Sequence, residues 1–184
     1  MKTVAFLARW PGVMVLDYLL KNPDIDLLAV LTHGRLSKVE GGGIRPELSF
    51  YRNLASEKTN LVIVDAPGNV STPEVDLLLC LSWRFKIPNE VLSKARNRIN
   101  IHRGELPKYA GAEPVKRAIL AGESSVAITA HEMTDVIDGG ERIAVVHSKI
   151  PHVPGDLEDR VRETKLSLYP LYVPLTRLAI STCR

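Results

Sequence analysis

Asn100 and His102 stand two residues apart at the end of the run Arg98-Ile99-Asn100-Ile101-His102, and Asp138-Gly139-Gly140 begins thirty-six positions after the histidine. In an extended strand, side chains two apart leave the same face, so an amide and an imidazole placed this way can address one substrate atom. That pairing suits a reaction in which an oxyanion must be stabilised and a proton moved. The imidazole needs a carboxylate to orient it, and Asp138, on a turn that its glycines permit, can supply one. The same residue types also suit an ordinary strand end, where the asparagine caps a turn and the histidine is a bystander. The three residues alone leave both readings open.

The elements that must position them follow from the apolar pattern. Residues 2–8 read as a strand closed by Trp10-Pro11-Gly12, and residues 13–21 place Val13, Val15, Leu16, Leu19 and Leu20 on one helical face. Residues 25–32 repeat the strand signal, and the polar stretch 33–43, ending Gly41-Gly42-Gly43, reads as a mobile loop. A helix opened by its proline is predicted over 46–57, strands over 60–64 and 75–81, a helix over 88–95 and a strand over 97–102. A Gly/Pro loop spans 103–112 and a helix 114–121. Strands follow over 125–131 and 142–149, and the helical region 157–178 is perturbed by Pro170 and Pro174. Strands alternating with helices predict an α/β domain, an open, mostly parallel sheet in a three-layer α/β/α sandwich. Ligands of such sheets sit beyond the carboxyl ends of the strands. Ser82-Trp83-Arg84, Asn100, His102 and Asp138 all fall at or after predicted strand ends.

Composition narrows the function classes. With 184 residues, 45% hydrophobic and 24% charged, the chain has the length of one globular domain, expected over 1–184. A net charge of +3, with the basic residues dispersed, argues against a nucleic-acid surface. The longest apolar runs, such as Leu77-Leu78-Leu79-Cys80-Leu81, are far short of the ~20 residues that span a bilayer. Two isolated cysteines, Cys80 and Cys183, suggest no disulfide framework and fit a cytoplasmic setting. The five histidines, His33, His102, His131, His147 and His152, lack zinc-site spacing, so no metal is expected. Trp83 has the size either to stack on a ligand or to close the core.

The longer context of the Asn-x-His pair carries a resemblance. The pair is followed by Leu106-Pro107-Lys108-Tyr109-Ala110-Gly111, and downstream the strand residues Thr129-Ala130-His131-Glu132-Met133 lead to Asp138-Gly139-Gly140. In this order and separation the motifs resemble the folate-dependent formyltransferase family, which includes glycinamide ribonucleotide, methionyl-tRNA and sugar N-formyltransferases. The resemblance runs from residue 76 to residue 149 and more loosely over the N-terminal half. It implies a Rossmann-like formyltransferase fold and 10-formyltetrahydrofolate as co-substrate. Asn100, His102 and Asp138 match the family's catalytic residues. Trp83, Arg84, Phe85 and Lys86 match the segment whose backbone holds the pterin, and Thr134, Asp135, Val136 and Ile137 match the folate-binding loop. In the transfer so implied, Asn100 and His102 meet the oxyanion, and Asp138 is expected to raise the histidine's pKa.

Departures from the family pattern bear on the acceptor. Arg103-Gly104-Glu105-Leu106-Pro107 replaces the usual Pro/Gly-Ser-Leu-Leu-Pro. The place of the phosphate-holding Gly-rich turn of glycinamide ribonucleotide enzymes reads Ala8-Arg9-Trp10-Pro11-Gly12-Val13, and Lys165 stands where those enzymes carry a glutamate. The methionyl-tRNA enzymes continue into a C-terminal tRNA-binding domain, which is not expected here. The acceptor implied is an amine on a small molecule, with amino sugar nucleotides the nearest class. A 10-formyltetrahydrofolate hydrolase and a non-catalytic folate- or nucleotide-binding module are the alternatives. A homodimer is compatible with all three.

Overall fold

The computed structural model describes residues 1–66, 68 and 70–183; Arg184, the last position of the expected domain, lies outside the described residues. Seven strands form one sheet in the order β3-β2-β1-β4-β5-β6-β7: β1 (Lys2–Leu7), β2 (Asp26–Thr32), β3 (Asn60–Ile63), β4 (Val75–Leu81), β5 (Ala95–His102), β6 (Ser125–Glu132) and β7 (Arg142–Lys149). The pairs β1–β2, β1–β4 and β2–β3 are parallel, whereas β5–β6 and β6–β7 are antiparallel. The helices are α1 (Arg9–Lys21), α2 (Leu48–Ala55), α3 (Asn89–Leu92), α4 (Pro114–Leu120), α5 (Leu157–Ser167) and α6 (Tyr169–Ile180). Contacts gather into two compact units, Met1–Arg98 and Ile99–Arg184.

In the first unit, β4 is the apolar centre. Leu77, Leu78, Leu79 and Leu81 have no exposed surface, as expected of a strand covered on both faces. Helix α1 packs on β1 and β2 and against α2. It begins four residues earlier than the pattern predicts, because Trp10-Pro11-Gly12 forms its first turn rather than a connection; the proline's missing N–H falls among donors that have no intrahelical partner anyway. Gly12 is required by packing, since a Cβ there would lie 2.1 Å from the Tyr51 hydroxyl of α2. The stretch 33–43 is not the unconstrained loop that its glycines suggest. Leu36 N–H donates to Gly43 O and Arg45 N–H to Gly34 O, and a 3-10 turn over Lys38–Glu40 is closed by a Ser37/Glu40 capping box.

In the second unit, α6 packs on β6 and β7, α5 on α4, and α5 against α6. The long closing helix divides at Leu168. Pro170 occupies the first turn of α6, where it is tolerated, and Pro174 lies inside that helix. Asp156 caps α5 reciprocally with Asp159.

Candidate active site

Strands β5 and β6 build the site by their register. Antiparallel pairing sets Asn100 opposite His131 and His102 opposite Thr129, so the alternate residues of both strands that share a face bring an amide and two imidazoles together. The chain then leaves β6, turns through residues 133–137 and presents Asp138 in the left-handed region at φ 55°. Such a backbone is uncommon for a residue with a side chain and persists only where its surroundings hold it. Here Gly111 N–H donates to Asp138 Oδ2 at 2.8 Å, and His102 Nδ1 lies 3.2 Å from the same oxygen. The other carboxylate oxygen lies 3.5 Å from His131 Nε2 and 3.4 Å from Asn100 Nδ2. The structure therefore brings Asn100, His102 and Asp138 together and adds His131, whose side chain is 2% exposed.

The hydrogen-bond pattern assigns the protons. His131 Nδ1 lies 2.8 Å from the Glu132 carbonyl, which can only accept, so this nitrogen carries a proton; a neutral ring then accepts at Nε2 from the Asn100 amide, 3.0 Å away. One Asn100 N–H is thus committed to His131. The other faces Asp138 Oδ1 across 3.4 Å, too long for a strong bond. His102 Nε2 lies 2.8 Å from the Tyr109 carbonyl. Engaging that carbonyl and Asp138 together requires protons on both ring nitrogens.

Burial works against that doubly protonated form. It is the largest influence on His102 and holds its pKa below the ordinary histidine value, although Asp138 and the Tyr109 carbonyl pull upward. The sequence-based expectation that Asp138 raises this pKa thus describes one contribution and not the net direction. Burial also pushes the Asp138 carboxyl upward, but the neighbouring His131 and His102 rings and the Gly111 N–H together bring it below its usual range. The loop between β5 and α4 is held by several ties. Thr129 Oγ1 donates to Gly104 O, Arg142 to Leu106 O, Arg117 to the carbonyls of Ala110 and Ala112, and Tyr109 to Glu123.

The two expected cofactor segments lie in different units and are described separately. In the first unit, Trp83 follows β4, stacks on His33 at 4.0 Å and meets the edge of Phe6 at 5.1 Å. Arg84 donates to Arg35 O and Asp65 O and lies over Phe85; Lys86 is exposed. In the second unit, Thr134, Asp135, Val136 and Ile137 form an exposed turn, with Val136 61% and Ile137 69% exposed. Thr134 Oγ1 bonds both the N–H and the carbonyl of Val136. Apolar side chains so open on a short turn next to Asp138 are available to a ligand. Among the described residues, no group of three or more His, Cys, Asp or Glu is placed to hold a metal ion.

A profile of the formyl transferase family matches residues 52–173, a span that contains all of these site residues. The chain belongs to the formyl transferase family. Phosphoribosylglycinamide formyltransferase of Haemophilus influenzae is 34% identical over 134 residues, which cover 70% of this chain and 61% of that protein. Methionyl-tRNA formyltransferase of Rhodopirellula baltica is 33% identical over 133 residues, covering 66% of this chain and 38% of that protein. The matches thus span less than two thirds of the length of these relatives. Among solved structures, glycinamide ribonucleotide transformylase 1 from Symbiobacterium toebii superposes with a TM-score of 0.70 at 18% identity, covering 98% of this chain and 88% of that one. At that identity the likeness establishes the fold, a Rossmann-like formyltransferase fold with a mostly parallel sheet. No described helix of this family member is long and apolar enough to cross a membrane.

Proposed function

We propose that the chain acts over residues 1–184 as one cytoplasmic N-formyltransferase domain, transferring the formyl group of 10-formyltetrahydrofolate to an amine on a small molecule. The observation that carries this reading is the cluster of Asn100, His102, His131 and Asp138, with one Asn100 N–H fixed by His131 and the other only loosely engaged. That second N–H is the donor that a substrate oxygen claims.

The amine lone pair attacks the formyl carbon, and the carbonyl π pair moves onto oxygen. Asn100 stabilises the resulting oxyanion. In its neutral form, which burial favours, His102 takes the proton released by the attacking nitrogen. As an imidazolium it is stabilised by Asp138 and returns the proton to N10 as the C–N10 bond breaks, leaving a formamide and tetrahydrofolate. Substrate displaces the Tyr109 carbonyl from His102 Nε2 as it enters. Trp83–Lys86 and Thr134–Ile137 are the proposed pterin- and folate-holding segments. The relatives named above act on phosphoribosylglycinamide and methionyl-tRNA. For this chain, Pro11 in the first turn of α1 removes a backbone donor and disfavours a phosphate seat after β1. Lys165 pairs with Glu113 in place of the expected glutamate. An amino sugar nucleotide is therefore the acceptor class proposed.

Release of formyl from 10-formyltetrahydrofolate, followed with and without a panel of amino sugar nucleotides and other small amines, tests the reading. Amine-dependent formamide formation is expected. Loss of formyl to water alone would make the chain a hydrolase, and folate binding without turnover would make it a binding module.

A further inference from the structure

Within the first unit, the ends of three strands are tied together around one histidine that the proposed transfer does not use. His33 follows β2 and is 1% exposed. Its Nδ1 lies 2.7 Å from the Val64 carbonyl, just past β3, and its Nε2 lies 3.3 Å from the Arg84 backbone N–H, just past β4. A carbonyl can only accept and an N–H can only donate, so the ring carries its proton on Nδ1 and is neutral. One face stacks on Trp83 at 4.0 Å with 23° between the planes, and Phe85 meets the ring edge-on at 5.1 Å. The turn so gripped begins at Ser82, whose φ of 56° is an uncommon conformation that its surroundings must hold. Asp65 completes the knot: its Oδ1 accepts from the N–H groups of Gly34 and Arg35 at 2.8 Å each, and Arg84 donates to Asp65 O and Arg35 O.

We infer that His33 is a positioning residue for the co-substrate, holding the Trp83–Lys86 turn in the one backbone conformation that receives the pterin ring. The inference rests on the proposed role of that turn. The ring reaches the ligand only through the turn: it fixes the Arg84 N–H and the plane of Trp83, and with them the orientation of the remaining backbone groups of the segment. Burial supports the neutral form, lowering the His33 pKa to about 4 against the pull of the Val64 carbonyl; of the charged groups facing it, Arg84 and Arg45 lower it further and Asp65 raises it.

The test uses a stable deazafolate analogue, titrated calorimetrically into the full chain, together with fluorescence of Trp83 in a Trp10→Phe background. His33→Ala removes one hydrogen-bond acceptor and one stacked ring, and its affinity for the analogue should fall about tenfold or more. His33→Gln, whose amide oxygen reaches the Arg84 N–H, should recover most of that loss. Trp83 emission should be quenched as His33 gains a proton, with a midpoint near 4 that is absent in His33→Gln. Unchanged affinity in His33→Ala, or equal losses in the alanine and glutamine variants, would overturn the inference. If His33→Ala does not fold, His33→Phe, which keeps a stacked ring and lacks the acceptor for the Arg84 N–H, takes its place, and unchanged affinity in that variant overturns the inference. Failure of the His33-containing protein to bind the analogue, with the Trp83 transition present, would instead refute the folate reading on which the inference stands.

Discussion

Asp138 does the work of several groups because its two oxygens face different partners. Oδ2 holds His102 and the Gly111 N–H, and Oδ1 faces His131 and Asn100. Replacing the acid by its amide keeps the shape and removes the charge that favours protonated His102. Asp138→Asn and His102→Ala should each lower turnover by about a hundredfold or more, in the range of lost general acid–base catalysis. Affinity for a folate analogue should stay close to that of the unmodified protein in both. Steady-state rates beside calorimetric binding decide it, and near-normal rates in both variants would remove these residues from the mechanism. His131→Phe leaves the Asn100 amide without its acceptor. A fall in turnover of about tenfold to a hundredfold, with little change in folate binding, is the expected result, below the full loss of an oxyanion donor. By strand face and turn alone, Asn100, His102 and Asp138 left both readings open, and they were legible in the sequence because the motifs around them resemble the formyltransferase pattern. His131 was not, since its place opposite Asn100 depends on strand register, which no local pattern of residues 125–132 specifies.

At the scale of elements, the corner that carries Asp138 depends on how closely two backbones approach. A Cβ on Gly140 would lie 1.9 Å from the Glu132 carbonyl oxygen and 2.8 Å from its carbon, both backbone atoms at the end of β6. Neither can rotate away, so Gly140→Ala must move the corner. It should cost about 1–3 kcal/mol, the range of an overpacked site, and should lower turnover as Asp138 is displaced. Chemical denaturation and turnover of the same variant check both parts, and a fully stable, fully active variant would contradict the geometry. The 33–45 segment shows how an element is misread from one residue type. Gly41, Gly42 and Gly43 all have positive φ and suggested mobility, yet the deciding signal was Ser37 and Glu40 at capping-box spacing. Glu40 also pairs with Arg9 and Arg45, the latter almost wholly buried. Glu40→Ala should therefore open the segment, seen as faster proteolytic cleavage within residues 35–45, whereas an unchanged cleavage rate would mean that the backbone bonds alone suffice.

For the molecule as a whole, alternation of apolar strands and helices made the α/β class legible. The antiparallel pairing of β6 and β7 was signalled only by the short connection 133–141, too brief for a parallel crossover. The sequence could not show which polar groups are buried, and burial sets the response to acid. His33, at about 4, and His102 both have pKa values below the unfolded value near 6.5, chiefly because burial disfavours the charged ring. As pH falls below 6.5 the unfolded chain takes up these two protons and the native chain does not, so stability is lost from about 6.5 down to the folded pKa values. Glu40 adds the same sign at lower pH. Partial burial pushes it upward, but the Ser37 N–H and hydroxyl, Arg9 and Arg45 bring it down to about 2. Its stabilisation is therefore complete above the unfolded value of 4.5 and is lost as pH falls through about 2. Asp138, also lowered, acts in the same direction. The midpoint of thermal unfolding should thus fall continuously from pH 7 to pH 4, and less steeply in His33→Gln, which has no ring to protonate. A midpoint that is flat or rises over that range would show that His33 and His102 titrate alike in the folded and unfolded chain, contradicting the buried, neutral rings on which both the brace and the proton transfer depend.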